Sequence, residues 1–179
     1  MGPWFDKWRD LVSSAIFYTG VGLGCFALVH FGSTYGLVKV DQEFRAMEPK
    51  LGRGHYVRIN RRVDRPELLR YGDIIMYRKP MWKRARYDNE FARVVGKPGD
   101  VVELRDYRLW RSTRQDGKLG PHEKISEPYI SGHHRPAGFS PFVVPRNCVF
   151  VLFDDRSRRE PLRNLIVPAR SIRGRVIGH

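Results

Sequence analysis

The sequence contains little cysteine, which excludes a fold held together by a network of disulfides. Cys25 and Cys148 are its only cysteines in 179 residues. Cys25 falls in an apolar run and Cys148 in the polar remainder, so a bond between them is not expected, and neither has a second ligand at zinc-type spacing. His133 and His134 are adjacent in a Gly/Pro-rich stretch, a setting typical of solvent-exposed side chains. We therefore expect no metal site and no cofactor.

Acidic residues are also scarce in this chain. There are 33 Lys and Arg residues against 19 Asp and Glu residues, which gives a formal charge of +14. Such a surplus favours an anionic partner surface, which lipid headgroups, an acidic protein or nucleic acid would provide. The basic residues are spread among candidate strands, and no nucleic-acid recognition motif occurs. Anionic lipid headgroups and other protein subunits are therefore the expected partners, and nucleic acid is not.

Charged residues are missing altogether from one long stretch. The run from Val12 to Phe31, "VSSAIFYTGVGLGCFALVHF", has no charge over 20 residues, the length that a helix needs to cross a hydrocarbon core of roughly 30 Å. We predict one uncleaved transmembrane helix, and small residues in it indicate a face that packs on another membrane protein. A buried globular helix and a cleaved signal peptide stay as alternatives. The run is longer than the usual apolar region of a signal peptide, and no small-x-small cleavage site follows it.

The residues before this run have the composition of a membrane interface. Trp4 and Trp8 stand beside basic residues, as in the aromatic belts of membrane proteins. We predict an interfacial segment over residues 1–10, a transmembrane helix and its exit over 11–40, and a folded domain over 41–179.

Helical periodicity is absent after Val40, where short runs rich in Val, Ile, Tyr and Phe alternate with Gly, Pro and Asp turns. This pattern predicts a mostly β domain of antiparallel strands. Two polar segments, at about 79–86 and 112–145, have the appearance of insertions, and the first reads as a basic loop. The candidate strands are "HYVRI" at 55–59, "DIIMY" at 73–77, "FARVV" at 91–95, "VVEL" at 101–104, "YRLWR" at 107–111 and "CVFVLF" at 148–153.

Four blocks of the sequence, in this order, resemble the conserved boxes of a known family. They are "AMEPKLGRGHYVRI", "RYGDIIMYRKP", "FARVVGKPGDVVEL" and "VPRNCVFVLFDDRSRREPLRNLIVPARSIRGRV". Together they are similar to the type I signal peptidases, also called leader peptidases. The resemblance implies a signal-peptidase-like antiparallel β domain with one N-terminal transmembrane helix. It also implies a single-pass protein of a bacterial or organelle inner membrane, with the β domain on the non-cytoplasmic side.

The family uses a serine nucleophile and a lysine general base, and the resemblance places neither in this chain. The serine position falls on Ala46, and the lysine position, just before Arg93, falls on Ala92. The serine that supports the lysine aligns with Arg159. A methyl group neither attacks a carbonyl nor accepts a proton. The resemblance therefore implies a pseudo-peptidase, with Ser157 as the best remaining hydroxyl if catalysis has been relocated.

Further departures distinguish this chain from an engineered inactive mutant. A family glycine is replaced by Phe153, and the aspartate that pairs with an arginine at Arg163 is replaced by Pro161. An experimenter who wished to abolish activity would have no reason to make these changes. The set favours a natural loss of catalysis.

Other family positions have candidate roles in binding or architecture. The peptide-binding or architectural candidates are Phe44, Met47, Pro49, Asp154 and Arg156. The candidates for contact with a partner or lipid are Trp4, Trp8, Trp82, Arg158, Arg159 and Arg163. Trp82, Phe139 and Phe142 are expected either at a membrane-dipping rim or in the core.

Three functional hypotheses follow. The first is a non-catalytic structural or assembly subunit of a larger membrane complex. The second is an inactive peptidase-fold module that binds an extended peptide, such as a signal peptide, a pilin or an active paralogue, along a sheet edge. The third, less favoured, is an active signal peptidase with relocated catalytic residues.

Overall fold

The computed structural model describes residues 3–40, 47, 51, 54–63, 65–81, 86–106, 108–130, 138–157 and 160–178. The chain divides into two compact units, Met1–Gly36 and Leu37–His179. Several residues named above, Phe44, Ala46, Pro49, Trp82, His133, His134, Arg158 and Arg159, lie outside the described part.

The first unit is dominated by one long helix, α1, over Pro3–Thr34. Within it, Leu11–Thr34 contains an 18-residue window with a mean hydropathy of 1.8, so by length and composition this segment is able to cross a membrane. Its polar side chains bond to the helix itself, because the hydroxyls of Thr19 and Thr34 each donate to the carbonyl four residues earlier at 2.8 Å. This is the usual way in which an apolar helix tolerates threonine. The prediction of an apolar N-terminal helix is confirmed.

The second unit is built from short strands with two brief helical turns. The strands are β1 Tyr35–Lys39, β2 Tyr56–Asn60, β3 Ile74–Met81, β4 Arg86–Gly96, β5 Val101–Arg105, β6 Arg108–Ser112, β7 Arg114–Gln115, β8 Lys118–Leu119, β9 Glu123–Lys124, β10 Phe139–Val143, β11 Cys148–Leu152, β12 Ile166–Pro168 and β13 Ile172–Ile177. A four-residue helix, α2, covers Leu162–Leu165, and single 3-10 turns cover Pro66–Leu68 and Ala169–Ser171.

Most of these strands form two sheets. A seven-stranded sheet has the order β1-β2-β13-β3-β4-β11-β12, and a four-stranded sheet has the order β10-β5-β6-β9. The pairings from β2 to β12 and all those of the four-stranded sheet are antiparallel. The mostly β, antiparallel prediction is confirmed.

The turn that joins β4 to β5 shows how the sequence directs the chain from one sheet to the other. The Asp100 amide bonds to the Lys97 carbonyl at 3.0 Å, and Gly99 has a φ of +86°. Pro98 and Gly99 thus occupy the two positions that a type II turn prefers for these residues. The Asp100 carboxylate accepts a bond from the Lys97 amide at 2.8 Å and fixes the turn.

The apolar core includes aromatic side chains from both sheets. Phe139 and Phe142 of β10 pack edge-on against Phe150 of β11, with ring centroids 5.4 and 5.1 Å away. Of the two roles expected for Phe139 and Phe142, the structure supports the core.

The two apparent insertions contain more strand than the sequence indicated. The β3–β4 hairpin keeps its register as far as Met81 opposite Arg86, so both ends of 79–86 lie in strands. Segment 112–145 holds β7, β8, β9 and β10. The expectation of a basic loop over the whole of 79–86 was wrong, because cross-strand backbone bonds hold polar residues in strands at a hairpin end.

Candidate functional site

A buried ion pair lies at the centre of the candidate site. The Arg93 Nε donates to Asp154 Oδ1 at 2.8 Å and its Nη2 donates to Oδ2 at 2.5 Å, which makes the pair bidentate. The side chains of Arg93 and Asp154 are 4% and 0% exposed. Nη1 of Arg93 donates to the Gly72 carbonyl at 2.8 Å. The fork geometry of guanidinium and carboxylate therefore ties β4 to the residues after β11.

A second ion pair packs against the first. The Tyr129 ring lies 4.0 Å from the Arg93 guanidinium carbon, and its hydroxyl donates to Glu127 Oε1 at 2.9 Å. The same oxygen accepts a bond from Arg156 Nη2. Burial raises the pKa of the Tyr129 hydroxyl, and the nearby Glu127 carboxylate raises it further. Tyr129 therefore remains a hydrogen-bond donor at neutral pH.

This network shows what Asp154 and Arg156 do in the fold. Both side chains are buried, and each is engaged in an ion pair with another part of the chain. Such an arrangement fixes the loop after β11 onto β4 and onto the segment that carries Tyr129.

Ala92 lies on the opposite face of β4 from Arg93, since neighbouring side chains of a strand point to opposite faces. Its side chain is fully buried and faces Ile75 of β3 across the sheet. The next pair on this face is Tyr77 and Glu90, whose side chains bond at 2.8 Å. The position before Arg93 thus carries a methyl group in a closed, largely apolar layer.

One lysine lies near this face, but it is already engaged. Lys79 Nζ is 2.7 Å from Glu160 Oε1 and 3.5 Å from Glu90 Oε2. Lys97, the other nearby lysine in sequence, donates to the Glu67 carbonyl at 3.1 Å, away from Ala92. Both amines therefore have partners among the described residues.

The segment that should carry the nucleophile is described only in part. Met47 is completely buried, and its carbonyl accepts a bond from the Leu51 amide at 3.0 Å. Met47 and Leu51 are both part of the buried core.

The structure also describes several other residues that the sequence singled out. Trp4 and Trp8 are exposed on α1, and Arg163 is exposed on α2. Ser157 is exposed, and its amide bonds to Asp155 Oδ1 at 2.9 Å. Phe153, which stands where the family has glycine, is buried in the core.

The structure also contains a Ser–His–Glu chain that the sequence did not reveal. Ser112 Oγ lies 3.0 Å from His122 Nδ1, and His122 Nε2 lies 2.9 Å from Glu103 Oε2. These are the residue types of a hydrolytic triad. Ser112 is only 3% exposed, however, and it belongs to the four-stranded sheet, whereas Ala92 belongs to the other. A serine so buried does not meet a substrate, so this chain of bonds stabilises the sheet.

The Glu103–His122 contact predicts a pH dependence of stability. The hydrogen bond from His122 lowers the pKa of Glu103, and Arg105 adds to this effect. A carboxylate with a lowered pKa stabilises the fold above its unfolded-state pKa, and this contribution is lost as the pH falls through its folded-state pKa. We expect the melting temperature to fall more steeply below about pH 4 in the wild type than in Glu103→Gln.

The measurement is a series of thermal unfolding curves between neutral and acidic pH. Glu123→Gln, which removes an exposed carboxylate from neighbouring β9, is the matched control and should follow the wild type. Parallel curves for the wild type and Glu103→Gln would contradict the assignment.

The chain is similar to several known proteins. A family model described as signal peptidase, peptidase S26, matches residues 15–177. The chain is 29% identical over 131 residues to signal peptidase I T of Bacillus subtilis, which covers 68% of the chain and 61% of that relative. It is 30% identical over 131 residues to signal peptidase I of Bacillus licheniformis, with 68% and 63% covered. The chain thus spans less than two thirds of the length of these relatives.

Another relative matches over a longer part of the chain, and a solved structure is also similar. Signal peptidase I P of Bacillus subtilis subsp. natto is 24% identical over 160 residues, with 89% of the chain and 84% of the relative covered. The crystal structure of a signal peptidase I from Enterococcus faecalis superposes with a TM-score of 0.45 at 25% identity, over 62% of this chain and 97% of that one.

Proposed function

The chain belongs to the signal peptidase family, peptidase S26, and we propose that it acts there without catalysis, as a membrane-anchored structural or assembly subunit of a larger membrane complex. Its β unit then lies on the non-cytoplasmic side of a bacterial or organelle inner membrane. The relatives are named as signal peptidases, so the proposal is that the fold was kept while the chemistry was lost.

The observation that carries this proposal is Ala92. It stands immediately before Arg93, where the resemblance puts the lysine base, and its buried methyl group faces Ile75. The neighbouring Arg93–Asp154 ion pair holds this part of β4 rigidly. The position of the Ala92 side chain is therefore fixed in the fold. A serine–lysine mechanism needs an amine here, and Lys79 is occupied by Glu160 and Glu90.

The membrane part of the proposal is supported by α1. Gly20 and Gly24 are four residues apart, and a Cβ built at either position meets no described atom within 4 Å beyond the adjacent residues and the nearby backbone of the helix itself. This small-xxx-small spacing allows a second helix to approach the backbone closely. A helix with such a face suits a subunit that associates within the bilayer.

The proposal is tested with the full-length chain in mild detergent, incubated with a peptide that spans a signal-peptide cleavage site. We expect no cleavage above buffer, a rate about a millionfold below that of an active serine hydrolase. The Bacillus licheniformis relative serves as the positive control. Ser157→Ala and Ser112→Ala should leave the result unchanged.

Two outcomes would overturn the proposal. The first is cleavage by the wild type that disappears in Ser157→Ala or Ser112→Ala. The second is purification as a monomer with no co-purifying membrane protein, as judged by mass spectrometry. Tight binding of the peptide without cleavage would instead favour the peptide-binding alternative.

A further inference from the structure

A cluster of basic side chains lines one groove of the β unit. Five cationic residues, Arg78, Lys79, Arg163, Arg170 and Arg173, surround a cavity of about 510 Å³. They come from β3, α2, the 3-10 turn at Ala169–Ser171 and β13. None of the described residues that line this cavity is acidic. We call this feature the arginine groove.

The charges of the arginine groove are only partly neutralised by the described part of the chain. Lys79 has carboxylate partners in Glu160 and Glu90. Arg170 and Arg173 are exposed and make no hydrogen bond or ion pair with any described residue. These two guanidinium groups line the cavity, and among the described residues no carboxylate pairs with them, which raises the local positive potential.

The chemistry of the arginine groove selects an oxyanion with several oxygens. Guanidinium groups present paired donors that match phosphate, and they are more weakly hydrated than an ammonium group. A volume of about 510 Å³ is within the range of sites for small organic ligands, so it exceeds what a single inorganic anion would fill. The apolar side chains of Ile166 and Val167 also line it. The ligand that matches this lining best is a phosphate ester that carries an apolar group close to the phosphate.

Chain continuity indicates where such a ligand is abundant. The candidate membrane span ends at Thr34, and β1 begins at Tyr35. The chain passes directly from the helix into β1, so a helix that spans a bilayer attaches the β unit covalently to the membrane. A tether of this kind holds the groove at a high effective concentration of lipid phosphate.

We propose that the arginine groove binds the phosphate of an anionic phospholipid headgroup, with Arg170 and Arg173 as its principal ligands. The groove would fix the β unit against the membrane surface in addition to the helix. Ala92 itself does not line the groove, although Tyr77 and Lys79 of the neighbouring strand do. Binding of phosphate there does not depend on whether the chain retains peptidase activity.

The test uses the full-length chain in nonionic detergent, titrated with dihexanoyl phosphatidylglycerol while melting temperature and bound lipid by native mass spectrometry are recorded. We expect saturable binding of one lipid per chain and a rise in melting temperature. Dihexanoyl phosphatidylcholine should produce neither. Arg170→Gln with Arg173→Gln should weaken the apparent affinity about 30-fold, since each base near an anionic headgroup contributes about a fivefold step in affinity.

The matched control removes two positive charges elsewhere. Arg58 and Arg61 are exposed and do not line the groove, so Arg58→Gln with Arg61→Gln should change the affinity by less than about threefold. Equal losses in the two double variants would overturn the proposal in favour of diffuse charge. Should the groove variant fail to fold, Arg170→Lys with Arg173→Lys keeps the charge, and unchanged affinity in it would overturn the paired-donor argument.

Two further titrations distinguish a phospholipid headgroup from other anionic ligands. Glycerol phosphate that binds as tightly as the lipid would show that a free phosphate ester is the ligand. An acidic peptide such as a glutamate decamer that binds more tightly than phosphatidylglycerol would show that the groove takes a protein partner. Either result would overturn the lipid assignment.

Discussion

Asp154→Ala is expected to lower the free energy of unfolding by about 3–5 kcal/mol, because it leaves the Arg93 guanidinium buried without a counter-charge. Arg93 and Asp154 are 4% and 0% exposed and are joined by two hydrogen bonds. The total stability of a domain is typically about 5–15 kcal/mol. A loss of this size would therefore populate the unfolded state measurably at moderate temperature.

The measurement is urea unfolding of the full-length chain in detergent, followed by tryptophan fluorescence. Asp155→Ala is the matched control, since Asp155 is only half-buried and accepts one bond from the Ser157 amide; it should cost no more than about 1 kcal/mol. Arg93→Met combined with Asp154→Leu should be more stable than Asp154→Ala alone, because no charge is left unpaired. A loss below about 1 kcal/mol for Asp154→Ala would show that the pair does not hold the site together.

This ion pair also shows which features of the site could not be predicted from the sequence. The strands were predictable because runs such as "CVFVLF" and "FARVV" have the composition and length of buried strands. The ion pair was not predictable in this way, since Arg93 and Asp154 are 61 residues apart in the sequence. They meet because Leu152 of β11 lies opposite Arg93 of β4, a register that follows from the whole sheet rather than from either segment.

The Ser–His–Glu chain was missed for the same reason. His122 lies before β9, in a polar segment that resembled an insertion, and nothing in the sequence brings it to Ser112. The contact depends on β5 and β6, which pair Val101 with Ser112 and Glu103 with Trp110. A hairpin prediction with the correct register would have placed Glu103 and Ser112 on adjoining strands. The His122 ring, which stacks on Trp110 with a centroid distance of 5.9 Å, still required the tertiary structure.

Ala92 raises a further question, which is whether its surroundings still suit the lysine that the family has there. We expect Ala92→Lys to destabilise the fold by about 4 kcal/mol at pH 7 through its charge alone. A buried lysine has its pKa lowered by as much as 3–5 units, and a folded-state pKa near 7 against about 10.4 in the unfolded chain corresponds to a cost of this size. The side chain at this position is fully buried opposite Ile75.

The pH dependence separates the cost of the charge from the cost of added volume. Ala92→Met adds a side chain of similar length without charge, so its loss of about 1–3 kcal/mol from overpacking should not vary with pH. The difference between the two variants should be largest at and below neutral pH, where the new lysine is protonated when unfolded, and should vanish as the pH approaches about 10.4. Urea unfolding of both variants from pH 6 to 11 measures it.

A constant difference across this range would mean that the new ammonium reaches water or the Glu90 carboxylate, and that the apolar environment is gone. A difference that vanishes at high pH would mean that the fold still disfavours a charged amine beside Arg93, as a general base of this family requires. In that case the chain keeps the environment that lowers the pKa of a lysine while carrying alanine in its place. The proposed loss of catalysis would then be explained by replacement of the reactive groups, while the ion pair of Arg93 and Asp154 keeps the surrounding structure stable.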